Sequence, residues 1–246
     1  MNQGASHMFG AYGLGATLYM PVIHPKVPDI LSGRVAAPAS SIVLCLEDAL
    51  REEDVERGVR TLIRLLADRV RDQDAHPRLF IRPRSYDMAC RLRAVPGIDR
   101  IDGFVIPKAR PEMLPDWVSL LNGTRLHLMP TLETPDLFDP TRLIQFRDLL
   151  LAAGPERIAA VRIGGNDILN LLGVRRSRTR TAYDGPLGLA IATMASVFLP
   201  EGMALSAPVF EHYAQSDLLR EEVARDLEHG LLTKTAIHPV QVGIIH

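Results

Sequence analysis

Short apolar runs recur along the chain at intervals of roughly 20 to 40 residues, a spacing that fits β–α units rather than hairpins. There are eight: ATLYMP (16–21), SIVLCLE (41–47), RLFIRP (78–83), GFVIPK (103–108), RLHLMPTLE (125–133), AAVRIGG (159–165), MALSAPVF (203–210) and KTAIHP (234–239). Most are near-continuous rather than alternating, as strands covered on both faces require. Helical patterns separate them. In 52–72, Val55, Val59, Leu62, Ile63, Leu66 and Val70 fall on one stripe with arginines and acids opposite. The segment 141–154 ends on Gly154, a C-cap candidate, and 186–202 opens on Pro186 and stops at Pro200. The segment 216–230 has Ser216 as N-cap candidate and a terminal Gly230. Eight strands alternating with helices predict a (β/α)8 TIM barrel rather than an open doubly wound sheet. The chain stops at His246, just after the eighth run, so an incomplete or missing eighth helix is expected, with a neighbouring subunit covering the gap. One polar, basic interruption, 173–186, reads as a long loop after strand six.

Composition narrows the picture. A chain of 246 residues can form one barrel, so residues 9–246 are expected to be a single domain. GASHM at 4–8 resembles a tag-cleavage remnant, and residues 1–8 carry no functional reading. With 28 Lys and Arg against 29 Asp and Glu, no global charge argues for nucleic acid or an anionic membrane as partner. Two cysteines, Cys45 and Cys90, make no disulfide framework and lack metal-site spacing. No membrane-length apolar segment or export signal is present, so a soluble, cytoplasmic protein is expected.

In this fold the chemistry sits at the C-terminal ends of the strands. Six of the eight runs end on an ionisable residue: Glu47-Asp48, Arg82, Lys108, Glu133, Asp167 and His238. Glu133 and Asp167, from adjacent strands, have the hardness and charge for Mg²⁺, which takes one or two carboxylates and fills its octahedron with water and substrate; Mn²⁺ is the substitute such a site admits. The alternative for Asp167, or for Asn166 beside it, is an N-cap of the following helix. Gly164 and Gly165 are read as leaving room for bound substrate. Arg82 offers a planar fork for a substrate carboxylate or an enolate oxygen, across the mouth from the two acids; its alternative is a pair with Glu47 or Asp48. Lys108 can neutralise substrate charge, and nearby carboxylates argue against a Schiff base there. His24 and His238, each before a proline, read as backbone-bonded histidines rather than bases. Arg175, Arg176, Arg178 and Arg180 are candidates for gripping a phosphate or CoA-like anion, set against a merely solvated loop.

Six stretches, LCLEDAL, FIRPRS, DGFVIPKA, PTLETPDLF, GGNDILNLLG and KTAIHPVQ, resemble in order and spacing the motifs of the citrate lyase beta-subunit-like superfamily, which includes malyl-CoA lyases. ATLYMPVIHPKV and YDGPLG…LSAPVFEH look closer to its bacterial branch of TIM-barrel carbon–carbon bond lyases. The likeness runs from about residue 16 to 242 and implies a Mg²⁺-dependent lyase. It matches Glu133 and Asp167 to metal ligands, Arg82 to a substrate-binding arginine, and Glu47 and Asp48 to an acidic pair that orders metal-bound water and the arginine. It also implies a homo-oligomer, trimeric or hexameric. The chain departs from citrate-lyase-like relatives in stopping where they continue into a C-terminal helix and lid.

The expected activity is therefore retro-aldol or retro-Claisen cleavage, or the reverse condensation, of a small carboxylated oxo- or hydroxy-acid or its acyl-CoA thioester. The alternatives are a thioester hydrolase on the same scaffold and a non-catalytic barrel that binds a metabolite.

Overall fold

The structure, a computed structural model, describes residues 13–68 and 77–246. Eight parallel strands close into a barrel in sequence order: β1 Ala16–Pro21, β2 Ser41–Cys45, β3 Arg78–Arg82, β4 Gly103–Ile106, β5 His127–Leu132, β6 Val161–Ile163, β7 Leu205–Ala207 and β8 Thr233–Ala236. Each coincides with one of the apolar runs. The runs extend past the strands because the chain stays buried and bonded after the ladder ends: Leu46 N–H still donates to the Arg82 carbonyl at 2.9 Å.

The outer ring consists of α1 Val27–Leu31, α2 Val55–Asp68, α3 Tyr86–Arg93, α4 Leu114–Leu120, α5 Pro140–Ala153, α6 Gly165–Leu171, α7 Pro186–Phe198, α8 Ser216–Glu228 and α9 Pro239–Ile245. On α2, Val55, Val59, Leu62 and Leu66 are buried as the stripe requires, but Ile63 turns outward; Val70 lies outside the described residues. Gly154 caps α5 as expected, at φ +99°. Ser216 does not cap α8: it is the first helical residue, and Gln215 precedes it without a side-chain cap bond. The eighth outer helix is present as the seven residues of α9, half the length of α2 or α5. No helix among the described residues is long and apolar enough to cross a membrane.

Inside the barrel, Leu14, Val43, Phe80, Val105, Met129, Ala159 and Ala160 form an apolar plug separate from the core between strands and helices. Side chains two residues apart on a strand share a face. Two residues beyond Val43, Phe80, Met129 and Ala160 come Cys45, Arg82, Thr131 and Arg162, and all four line the cavity above the plug. The strand period thus turns an apolar floor into a polar chamber at the C-terminal end.

Candidate active site

The chamber encloses about 360 Å³ and is bounded also by Tyr19, Asp48, Glu133, Gly164, Asp167 and Thr235. Arg82, the last residue of β3, is its hub. Its guanidinium lies 2.6 Å from Glu47, 3.1 Å from Glu133 and 3.5 Å from Asp48. The pairing with the Glu47-Asp48 segment therefore exists, but the placement across the mouth from Glu133 does not. Strands β3 and β5 flank β4, and a guanidinium spans that gap, so arginine and carboxylate meet directly.

Glu133 is almost wholly buried, its side chain 2% exposed. Its Oε1 accepts from Arg82 and from the Lys108 backbone N–H at 2.8 Å. Lys108 reaches that position with φ +47°, the only non-glycine among the described residues in the left-handed region. Oε2 lies against Gly164, where a Cβ would stand 2.1 Å from it. Burial pushes the Glu133 carboxyl up to about 7, against the pull of Arg82 and the Lys108 N–H. The same desolvation raises Glu47, again opposed by Arg82. Lys108 Nζ sits 3.3 Å from Glu47 and 4.0 Å from Asp167. Partial burial lowers its pKa, the acids outweigh it, and the net shift is upward, so the amine stays protonated.

Asp167 is the third residue of α6, and the helix is capped by Gly164 without any side-chain cap bond. Neither Asn166 nor Asp167 is the N-cap, so the Asp167 carboxylate is free of that duty and borders the chamber. The two glycines make room differently from the sequence expectation. Gly164 leaves space for the Glu133 carboxylate, and a Cβ on Gly165 would stand 2.8 Å from Pro208 Cβ. The vacated volume is filled by protein, while both glycines still border the chamber.

This donor set fits a hard divalent cation. Glu133 presents a buried carboxyl on the chamber wall whose charged form a cation would favour, Asp167 adds a second carboxylate, and burial raises the Cys45 thiol so that it stays neutral. Among the described residues no three acidic, histidine or cysteine groups converge as a complete cage. Two carboxylates with the remaining positions left to water and substrate is how Mg²⁺ is commonly held.

The basic loop divides. Arg176 is not an anion site: its side chain, 4% exposed, is paired with buried Glu222, and its Nη1 donates to the Val209 carbonyl at 3.3 Å. Glu222 and Asp226 in turn hold Lys234 at 3.0 and 2.8 Å. Arg175 and Arg178 are exposed and do not border the chamber; Arg175 and Arg180 border a separate hollow of about 110 Å³. His238 caps α9, its Nδ1 accepting from the Val240 N–H at 3.2 Å, and stacks on Tyr213. His24 Nδ1 accepts from the Lys26 N–H at 3.3 Å.

Sequence reasoning missed Tyr19, Thr131, Arg162 and Thr235, all of which border the chamber. A signal existed: Arg162 is a lone cation in the apolar run AAVRIGG, two residues before Gly164 and so on its face.

The sequence model of the family described as C–C bond lyase of the TIM-barrel fold matches residues 8–246. No curated protein matches the chain. Among solved structures, RipC from Yersinia pestis superposes with a TM-score of 0.71 at 20% identity, over 96% of this chain and 94% of that one. CitE from Mycobacterium tuberculosis, in complex with magnesium, acetoacetate and coenzyme A, gives 0.70 at 20% identity, over 96% and 80%. A malate synthase from Haloferax volcanii gives 0.75 at 12% identity, over 95% and 74%. At such identities the likeness is one of fold.

Proposed function

Since the chain belongs to the family of carbon–carbon bond lyases of the TIM-barrel fold, we propose that it cleaves, or in reverse forms, a carbon–carbon bond in a small carboxylated oxo- or hydroxy-acid or its CoA thioester, with Mg²⁺ held by Glu133 and Asp167. The observation that carries this is Arg82 bonded at 3.1 Å to the carboxylate of Glu133 at the head of one polar chamber. A cation-binding acid and an oxyanion-binding fork then face the same substrate. The solved CitE complexes with magnesium and acetoacetate or oxaloacetate support the cofactor and the substrate class.

Bound there, Mg²⁺ would supply Lewis-acid polarisation of a substrate oxygen and charge neutralisation as an enolate develops. Arg82 orients the substrate carboxylate or enolate oxygen through fixed parallel donors, themselves held rigid by Glu47, Asp48 and Glu133. Lys108 keeps its ammonium protonated between Glu47 and Asp167 and offsets negative charge at the rim. Gly164 keeps Glu133 Oε2 unobstructed. In this reading the barrel, residues 9–246, acts as one domain and as a homo-oligomer in the cytoplasm, where its two free cysteines stay reduced.

The test is titration of Mg²⁺ by calorimetry, together with a cleavage assay on oxo- and hydroxy-acids and their CoA esters with and without a chelator. Turnover should vanish on chelation, and Glu133→Ala or Asp167→Ala should lose Mg²⁺ binding while remaining folded. Turnover that survives chelation, or Mg²⁺ binding that survives both substitutions, sinks the proposal.

A further inference from the structure

Arg162 projects from β6 onto the apolar plug, 2% exposed, with its Nη1 3.9 Å from Met129 Sδ. Its guanidinium carbon lies 4.9 Å from the centre of the Tyr19 ring, and Nη2 donates to the Thr235 hydroxyl. None of these partners is anionic, and among the described residues no carboxylate forms an ion pair with it. Among the described residues every other buried cation has one: Arg82 has Glu47 and Glu133, Arg176 has Glu222, Lys234 has Glu222 and Asp226. Burial disfavours the Arg162 charge, the Tyr19 side chain favours it, Arg82 repels it through space and Glu133 attracts it. A buried cation without a counter-ion is costly. Beside it, paired with Arg162 in the β5–β6 register, stands Thr131, whose buried hydroxyl has no hydrogen-bond partner. Both groups border the chamber. Arg162 lacks a counter-ion and Thr131 lacks a hydrogen-bond partner in the same place, and a guanidinium and a hydroxyl can both donate to one oxyanion.

We propose that Arg162, with Thr131, binds a second carboxylate of the substrate, so that the acid taken by this chamber is a dicarboxylate whose far end rests on the barrel floor. The reading rests on the proposed function only in assigning the first carboxylate to the Glu133 and Arg82 end. Arg82 is tied to the Glu133 end of the chamber by its three acids, so the floor is left to Arg162. The chamber's 360 Å³ holds a short-chain diacid, and a planar carboxylate suits a guanidinium fork. Arg162 is thereby a specificity-determining residue: a substrate with an apolar end would leave the charge buried and unpaired, which discriminates more strongly than a missing apolar contact.

The experiment measures dissociation constants by calorimetry, at fixed Mg²⁺, for matched pairs: propionate against succinate, butyrate against glutarate, and 3-phosphonopropionate as the phosphoryl probe. The wild-type chain should bind a diacid tighter than its monoacid partner by on the order of tenfold to a hundredfold, the worth of a charge-assisted hydrogen bond. Arg162→Gln should bring that ratio close to one, by weakening diacid binding and without weakening monoacid binding. Thr131→Val, which replaces a hydroxyl by a methyl, should lower the ratio severalfold, and it carries the test if the Arg162 variant does not fold. A wild-type ratio near one overturns the proposal, as does an unchanged ratio in a folded variant. Equal losses for monoacids and diacids also overturn it, because Arg162 would then hold the carboxylate common to both. Tighter, Arg162-dependent binding of the phosphonate overturns the assignment to a carboxylate. Binding is read without turnover, so a chain that selects diacids through Arg162 but cleaves nothing removes only the lyase reading.

Discussion

At the scale of single residues, the site depends on atoms that are missing as much as on those present. A Cβ at Gly164 would stand 2.1 Å from Glu133 Oε2 and 2.4 Å from its Cβ, and Glu133 is too tightly held by Arg82 and the Lys108 N–H to step aside. Gly164→Ala is therefore expected to weaken Mg²⁺ binding about as strongly as removing Glu133 itself, with the barrel still folded by circular dichroism; unaltered Mg²⁺ affinity would show that Glu133 Oε2 faces nothing that matters. Arg82→Lys tests the other half. A lysine keeps one charge but cannot reach Glu47, Asp48 and Glu133 while presenting two parallel donors. Turnover should fall on the order of 10²-fold or more, what one preorganised oxyanion donor contributes, with Mg²⁺ binding retained. An arginine that is only structural predicts a lower melting temperature and unchanged kcat per folded molecule, so both are measured on one preparation. Arg82, Glu133 and Asp167 were legible in the sequence because each ends an apolar run in a fold whose chemistry collects there. Arg162 showed only as a lone cation inside an apolar run and Thr131 not at all, because both sit inside their runs, and only the barrel's closure tells which face of a strand looks inward.

At the scale of elements, strands were easier to read than helix ends. A buried parallel strand is written in consecutive residues, whereas a helix end is settled by local bonds that compete closely. Asp167 occupies a position any N-cap rule would claim, yet Gly164 takes the cap because the turn after β6 must also admit Glu133. Arg176 looked like one of a cluster of loop cations, and its commitment to Glu222 on α8, 46 positions away, left no trace in the local pattern. The same loop ends in a capping box in which Asp184 accepts from the Thr181 N–H and hydroxyl at 2.9 and 2.6 Å and from Arg225 at 2.5 Å. The Thr181 hydroxyl and then Arg225 hold the Asp184 carboxyl down at about 2, from an ordinary 3.8. A carboxyl depressed on folding contributes stability that is present above its unfolded value and lost as pH falls through its folded one. Asp184→Asn should accordingly melt below the wild type at pH 6, with the difference shrinking as pH drops from 4 towards 2. A difference that stays constant over that window would mean the carboxylate charge contributes nothing to anchoring the loop on α8.

At the scale of the whole molecule, the barrel followed from counting eight runs with helical stretches between them, and the closing helix is where the count had least to offer. The seven residues of α9 span about 10 Å at 1.5 Å per residue, enough for the His238 and Gln241 capping box to anchor them at the end of β8. The Gln241 amide also donates to the Phe210 carbonyl at 2.6 Å. Between α1 and the start of α9 lies a hollow of about 550 Å³ whose walls include Ile30, Val35, Pro38, Ile237 and Pro239. At its edge Val35 is 50% exposed and Ile237 44%, with Val240 on α9 at 49%. Clustered apolar exposure of this kind marks interaction surfaces on soluble proteins, and self-association of the chain through this patch is the prediction it makes. Multi-angle light scattering at micromolar concentration should give a mass that is a multiple of the monomer's. The double substitution Val35→Lys and Val240→Lys, both on exposed positions outside the chamber, should shift that mass towards the monomer without lowering Mg²⁺ affinity. A wild-type chain that runs as a monomer removes self-association, whereas an oligomer indifferent to the double substitution moves the interface to another face, where Leu189 on α7, 70% exposed, is the next position to change.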